Sequence, residues 1–139
     1  MSTFELDSRL AADTLSLADL PLCRALLMND ARFPWVILVP RRPGVREIFE
    51  LSNDDQTQLH RETTALGQAL QLAFQGDKLN VAALGNVVSQ LHVHLVVRFT
   101  RDDAWPAPVW GKGEAVPYSP TLQRERRERI LAHMDKLDV

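Results

Sequence analysis

The sequence has few of the residues that cross-link small extracellular domains or carry a chain into a membrane. It contains one cysteine, Cys23, among 139 residues, so neither an internal disulfide nor a thiolate metal cluster can form. The longest apolar run, FPWVILVP, is far too short to cross a bilayer. The opening segment, MSTFELDSRLAADT, carries acids and has no apolar centre, so a secretory signal is not expected. We therefore expect a cytoplasmic protein.

The chain also has no large excess of either charge. Its 16 basic and 18 acidic residues leave a net charge of -2, which does not favour nucleic acid or an anionic membrane as a partner. Apolar residues make up 45% and charged residues 24%, as in an ordinary globular protein. The length is typical of one domain, which we expect to span residues 1–139.

Short apolar runs bounded by turn residues predict five strands. The first two form a hairpin whose loop contains Asn29, Asp30 and Pro34. The predicted strands are Arg24–Met28, Trp35–Pro40, Val45–Leu51, Lys78–Leu84 and Gln90–Phe99.

Leucines and a phenylalanine at helical spacing predict one long helix after Ser52, a suitable N-terminal cap. They are Leu59, Leu66, Leu70 and Phe74, and Gly76 follows where a left-handed cap often lies. A second helix is predicted over about 119–137, beginning at Ser119 and Pro120, and a weaker one is expected over Ser8–Leu20. Together the elements predict an α+β domain, an antiparallel five-stranded sheet with helices on one side.

The segment SQLHVHLVVRF places two of the four histidines on alternate positions of an apolar run. Because strand side chains alternate between faces, Val93 and Leu95 should face the helices together with their alternate neighbours. Gln90, His92 and His94 should then share the opposite face, which we expect to be wet. Such a row of polar groups suits a bound polar ligand.

Two other interpretations fit the same spacing. A half-exposed sheet face can carry polar residues without any function, and alternate strand histidines can both bind one zinc ion. Zinc needs a third ligand, however, and His60 and His133 lie on predicted surface helices. We therefore predict no metal and no other cofactor.

The segment GNVVSQLHVHLVVR resembles the signature of the histidine triad (HIT) family, in which a glycine and short spacers precede H-x-H-x-H with apolar x. Gln90 occupies the first triad position, and His92 and His94 occupy the second and third. The order of elements, from the hairpin through the long helix and the strand KLNVAAL to the signature, is also similar. The motif-bearing core would span about 24–111, which includes a tryptophan-proline tail, AWPAPVWG.

The resemblance implies a nucleotide-binding hydrolase or nucleotidyl transferase acting at an α-phosphate. His92 would be the nucleophile and form a nucleotidyl-histidine, and His94 would orient it or hold the phosphate. The substrate would be a purine nucleotide or nucleotide conjugate, such as a nucleoside phosphoramidate or a dinucleoside polyphosphate. A regulatory nucleotide-binding protein with little turnover is the alternative, and a metal-dependent hydrolase using His92 and His94 is a more distant one.

The resemblance also implies residues that bind the nucleotide. Gly85 would allow an unusual backbone angle, so that the amides of the loop after it approach the phosphate. Asn80 matches a polar residue near the phosphate, and Asn29 or Asp30 falls where the family has its ribose-binding group, although plain turn chemistry explains that pair equally well. The loop residues are Asn86, Val87 and Val88.

Two features of the family concern the rest of the chain. Family members are commonly dimeric, with the long helix and the strand before the signature at the interface, so a homodimer is expected. C-terminal segments lie near the family's active site, where Trp105 or Trp110 could line a pocket, although both could simply pack on the domain. The segment PRRPG departs from the family, since Arg41 and Arg42 are present there without the usual histidine.

Overall fold

A five-stranded antiparallel sheet forms the centre of the computed structural model, which describes residues 3–139. Its strands are β1 (Thr14–Asp19), β2 (Cys23–Met28), β3 (Trp35–Pro40), β4 (Lys78–Ala82) and β5 (Val93–Arg98), in the order β1-β2-β3-β5-β4. The helices are α1 (Ser8–Asp13), α2 (Asn53–Phe74) and α3 (Pro120–Met134), with a short 3-10 turn at Ile48–Glu50. The predicted α+β fold, with a long helix, a C-terminal helix and this sheet, is confirmed.

The helices α2 and α3 cover one face of the sheet. Val93, Leu95 and Val97 point from β5 into this core, where they meet leucines of α2 and Ile130 of α3. The alternation predicted for this strand is therefore confirmed on its apolar side. Ser52 and Ser119 cap the two helices as expected, each through a side-chain oxygen that accepts from a backbone N–H.

The opposite face of the sheet is covered as well, so the prediction that it is wet was wrong. A second apolar cluster there joins β2, β3 and β5 to residues of the N-terminal segment and of the loop after β5. His92 and His94 are each only 6% exposed as a result.

Two elements in the N-terminal half of the chain differ from the predictions. Val45–Leu51 is not a strand, because the Glu50 carboxylate accepts from the backbone N–H groups of Arg46 and Glu47 and closes a local turn. The fifth strand of the sheet is instead β1, which lies at the edge next to β2. The expected helix over Ser8–Leu20 ends at Asp13, after which the chain pairs with β2 in antiparallel register.

The end of α2 also differs in detail. The left-handed residue is Gln75, with φ 52°, and not Gly76 as predicted. A Cβ on Gly76 would lie 2.3 Å from a methyl group of Val97, so glycine is needed there for close approach to β5. Within residues 3–139, none of the helices combines the length and apolarity needed to span a bilayer.

Candidate active site

His92 and His94 lie side by side where β5 begins. His94 pairs with Ile37 of β3 on one side and with Ala82 of β4 on the other, so two neighbouring strands fix its backbone. The ring centroids of the two histidines are 4.9 Å apart with the planes at 70°, an edge-to-face arrangement. The H-x-H spacing thus brings two imidazoles into contact instead of spreading them along an exposed surface.

The backbone fixes the tautomer of the His92 ring. Its Nδ1 lies 2.7 Å from the carbonyl oxygen of Gln90, which can only accept a hydrogen bond. Nδ1 must therefore carry the hydrogen, and in the neutral ring the lone pair is on Nε2. His92 presents an oriented nitrogen nucleophile as a consequence.

Trp35 has the complementary effect on His94. Its indole Nε1–H donates to the Nδ1 of His94 at 3.0 Å, so the hydrogen of the neutral His94 ring is on Nε2. Burial, followed by the neighbouring His92, lowers the pKa of His94 from 6.5 to about 4. At neutral pH, His94 is therefore an uncharged hydrogen-bond donor and not an imidazolium.

Trp110 closes the site from the loop that follows β5. Its ring centroid is 5.2 Å from that of His94 and 5.9 Å from that of Trp35. The loop is anchored by a buried ion pair in which Arg98 donates to Asp102 at 2.8 Å. Trp110 therefore lines the site, whereas Trp105, the other candidate of the tail, is 37% exposed and lies against the guanidinium of Arg98.

A cavity of about 420 Å³ opens in front of the histidines. One side is the loop Leu84–Val88, in which Gly85 has φ +85°, the unusual backbone angle expected there. The opposite side is α1, and between them lie aromatic and apolar side chains of β2, β3 and the loop after β5. Its lining includes the predicted residues Gly85, Asn86, Val87, Val88, His92 and His94, and also Arg9, Leu10, Asp13, Met28, Trp35, Ile37 and Trp110.

Gln90 does not line this cavity. Its side-chain Oε1 accepts from the backbone N–H of Asp7, and its Nε2 donates to the carbonyl of Glu5, both at 2.8 Å. The amide is thus fully engaged with the N-terminal segment. The contribution of Gln90 to the histidine pair comes from its backbone carbonyl, which orients His92.

Three predicted nucleotide-binding residues are not among those that line the cavity. Asn29 accepts from the backbone of Tyr118, and Asp30 accepts from Val116 and pairs with Arg32 at 2.8 Å. Both therefore hold the segment before α3. Asn80 accepts from Arg98 at 2.8 Å and belongs to the network that anchors the loop after β5.

Among residues 3–139, His, Cys, Asp and Glu side chains nowhere form a group of three or more that could hold a metal ion. His60 is exposed on α2, and His133 lies on α3 with its Nδ1 bonded to its own helix. Within the described residues, His92 and His94 are therefore not grouped with a third such metal ligand.

Sequence reasoning missed the contributions of Trp35 and of α1. Trp35 could have been found from strand register, because Trp35 and Ile37 alternate on the strand paired with the histidine strand. The α1 residues carried no comparable signal, since the segment just before them is held by Gln90, which lies 83 residues after Asp7 and 85 after Glu5.

A model of the HIT domain matches residues 9–101, and the chain belongs to the histidine triad (HIT) family. A histidine triad protein from Marinobacter aquaeolei VT8 is 50% identical, with a TM-score of 0.95 over 99% of this chain and 100% of that one. Histidine triad protein blr8122 from Bradyrhizobium japonicum is 42% identical, with a TM-score of 0.93 over 95% and 98%. No curated protein matches the chain.

More distant structures share the fold at lower identity. A hypothetical histidine triad nucleotide-binding protein from Sulfolobus tokodaii is 15% identical, with a TM-score of 0.68 over 89% of this chain and 85% of that one. A zinc-bound histidine triad family protein from Mycobacterium smegmatis is 12% identical, with a TM-score of 0.61 over 94% of each.

Proposed function

We propose that the protein is a nucleotide-binding hydrolase or nucleotidyl transferase that acts at the α-phosphate of a nucleotide derivative, with His92 as the nucleophile. The observation that carries the proposal is the hydrogen bond from His92 Nδ1 to the Gln90 carbonyl, because it leaves Nε2 free for attack. Nε2 forms a bond to phosphorus while the bond from phosphorus to the leaving group breaks, and the leaving group takes a proton from solvent.

The resulting nucleotidyl-histidine carries a positive charge on the ring, which the Gln90 carbonyl stabilises by accepting from Nδ1–H. Water then attacks phosphorus and releases one proton to solvent, the N–P bond breaks with its electron pair returning to Nε2, and the products are a nucleoside monophosphate and neutral His92. His94 donates from Nε2–H to a phosphate oxygen throughout. The backbone amides of Asn86–Val88 supply further donors, and Gly85 lets that loop approach closely.

Two features of the site favour substrates with good leaving groups. Gln90 stands where the family has its first histidine, and its amide is occupied by the N-terminal segment. His94 is uncharged at neutral pH, so it has no imidazolium proton to give to the leaving group. With a poor leaving group the protein would bind nucleotide but turn over slowly. The engaged amide of Gln90 and the neutral His94 therefore favour a regulatory nucleotide-binding protein as the second candidate.

Rapid-quench labelling with an adenosine phosphoramidate tests the proposal. A transient acid-labile adenylyl adduct should map to His92 and should be absent from His92→Asn. His133→Asn is the matched control, because that imidazole lies on α3 away from the cavity. Binding of nucleotide without an adduct on His92 would favour the regulatory protein, and loss of both on chelation would favour the metal-dependent hydrolase.

The proposal includes a homodimer in the cytoplasm. β4 is one of the two edge strands of the sheet, and its Val81 is 49% exposed and lines one cavity with the exposed Ile48. A cavity of about 280 Å³ lies between β4 and α2, which suits a second copy packing there. Light scattering of purified protein should give twice the chain mass, and Val81→Lys should shift it towards the monomer.

A reducing cytoplasm suits a chain whose one cysteine is buried and unpaired.

A further inference from the structure

The N-terminal segment, Phe4–Asp13, forms one wall of the catalytic cavity and is fixed at two points. The side chain of Gln90 holds it at Glu5 and Asp7 with two hydrogen bonds of 2.8 Å. Leu10 anchors it further along, packing into the apolar cluster that contains Trp35. The side chain of Asp7 also caps α1 by accepting from the backbone N–H of Arg9, so the backbone at position 9 is fixed.

The charges that line the cavity leave a phosphate short of a cation. His94 is neutral at pH 7 because its pKa is about 4. Among residues 3–139, the one Lys or Arg side chain that lines this cavity is Arg9, and the one carboxylate is that of Asp13. No ion pair joins these two side chains within the described residues. Without Arg9, the Lys, Arg, Asp and Glu side chains that line this cavity would present only the negative charge of Asp13.

We propose that Arg9 is a substrate-binding residue that supplies the positive charge for the phosphate group, and that Gln90 is the positioning residue that holds Arg9 in place. This inference rests on the proposed function, since it takes a phosphate at the histidines as given. The glutamine at position 90 then has its own role in binding, distinct from that of a histidine. A guanidinium suits the role because it stays charged and can donate two hydrogen bonds to one phosphate.

Calorimetric titration of adenosine 5′-monophosphate into the full chain tests this inference. Arg9→Met should weaken binding by about tenfold or more, as expected for loss of a charged hydrogen bond. Arg9→Lys should recover part of the loss. Arg124→Met is the matched control, since it removes the same charge from the exposed surface of α3 and should change affinity by less than about twofold.

Gln90→Leu tests the positioning role. It should weaken binding as much as Arg9→Met does, and the double variant should be no weaker than Gln90→Leu alone, because both changes remove one interaction. Hydrogen exchange over residues 5–13 should rise in Gln90→Leu and not in Arg9→Met. If Gln90→Leu does not fold, Gln90→Glu keeps the acceptor for Asp7 and loses the donor to Glu5, and should show the same changes in smaller measure.

The two proposals fail in different ways. If the wild-type chain binds the nucleotide and forms the adduct on His92 while Arg9→Met binds like Arg124→Met, this inference is overturned and the proposed function stands. If Gln90→Leu binds like the wild type, the positioning role is overturned. A wild-type chain that neither binds the nucleotide nor forms the adduct overturns both.

Discussion

His94→Leu should change how the stability of the protein depends on pH. The pKa of His94 is about 4 in the folded chain, against 6.5 for an exposed histidine, chiefly because the ring is buried. Between these values the unfolded chain binds a proton that the folded chain does not. The contribution of His94 to the free energy of unfolding is therefore constant above about pH 6.5, and the free energy of unfolding decreases as the pH falls from 6.5 towards 4.

The size of the effect follows from the shift. Each unit of pKa difference corresponds to about 1.4 kcal/mol, so the wild type should lose about 3 kcal/mol between pH 7 and pH 4 through this residue alone. His94→Leu removes the titration and leaves the Trp35 N–H without its acceptor, which costs about 1–3 kcal/mol at pH 7. The variant should thus be less stable at pH 7 and should approach or overtake the wild type at pH 4.

Urea unfolding at intervals from pH 7 to pH 4 measures both effects, and the difference between the two proteins cancels the other titrating groups. His133→Leu serves as the control, because it replaces a histidine of α3 and leaves the candidate site intact. Parallel curves for the wild type and His94→Leu would refute the account of His94 as a buried neutral donor.

Two further predictions concern β5 and the residues just before it. Leu95→Ala should lower the free energy of unfolding by about 2–4 kcal/mol, since Leu95 is fully buried against α2, and a loss below 1 kcal/mol in denaturant melts would mean that the core faces are misassigned. Gln90→His adds a titratable group beside His92 but breaks both bonds to the N-terminal segment, so kcat should rise for poor leaving groups while KM increases. Steady-state kinetics on one poor and one good leaving group measure this; an unchanged KM would show that the segment does not depend on Gln90.

The parts of the fold that could be predicted from the sequence are those set by local periodicity. The leucine spacing of α2 and the alternation of β5 each depend on residues a few positions apart, and both were found. β1 was missed because its leucines also fit a weak helix, and pairing with β2 decides between the two. Val45–Leu51 failed for the opposite reason, since the carboxylate of Glu50 satisfies backbone donors locally.

At the site, the motif placed both histidines and the loop Gly85–Val88 in one cavity, but it could not give the partners of their side chains. The tautomer of His94 depends on Trp35, 59 residues earlier. The burial of both rings depends on the N-terminal segment and on the loop after β5. Polar residues in turns were the least predictable. Asn29 and Asp30 had the composition of a ligand-binding pair, yet their oxygens are used to hold residues 116–118.

The bonds made by Gln90 also bear on how this region can diverge between related proteins. Gln90 contacts backbone atoms of Glu5 and Asp7, and a backbone amide or carbonyl is present whatever side chain occupies those positions. This contact therefore places no demand on the side chains at positions 5 and 7, although the Asp7 carboxylate separately caps α1. We expect pairwise coevolution analysis to give little signal between position 90 and the N-terminal segment, although the two are physically joined.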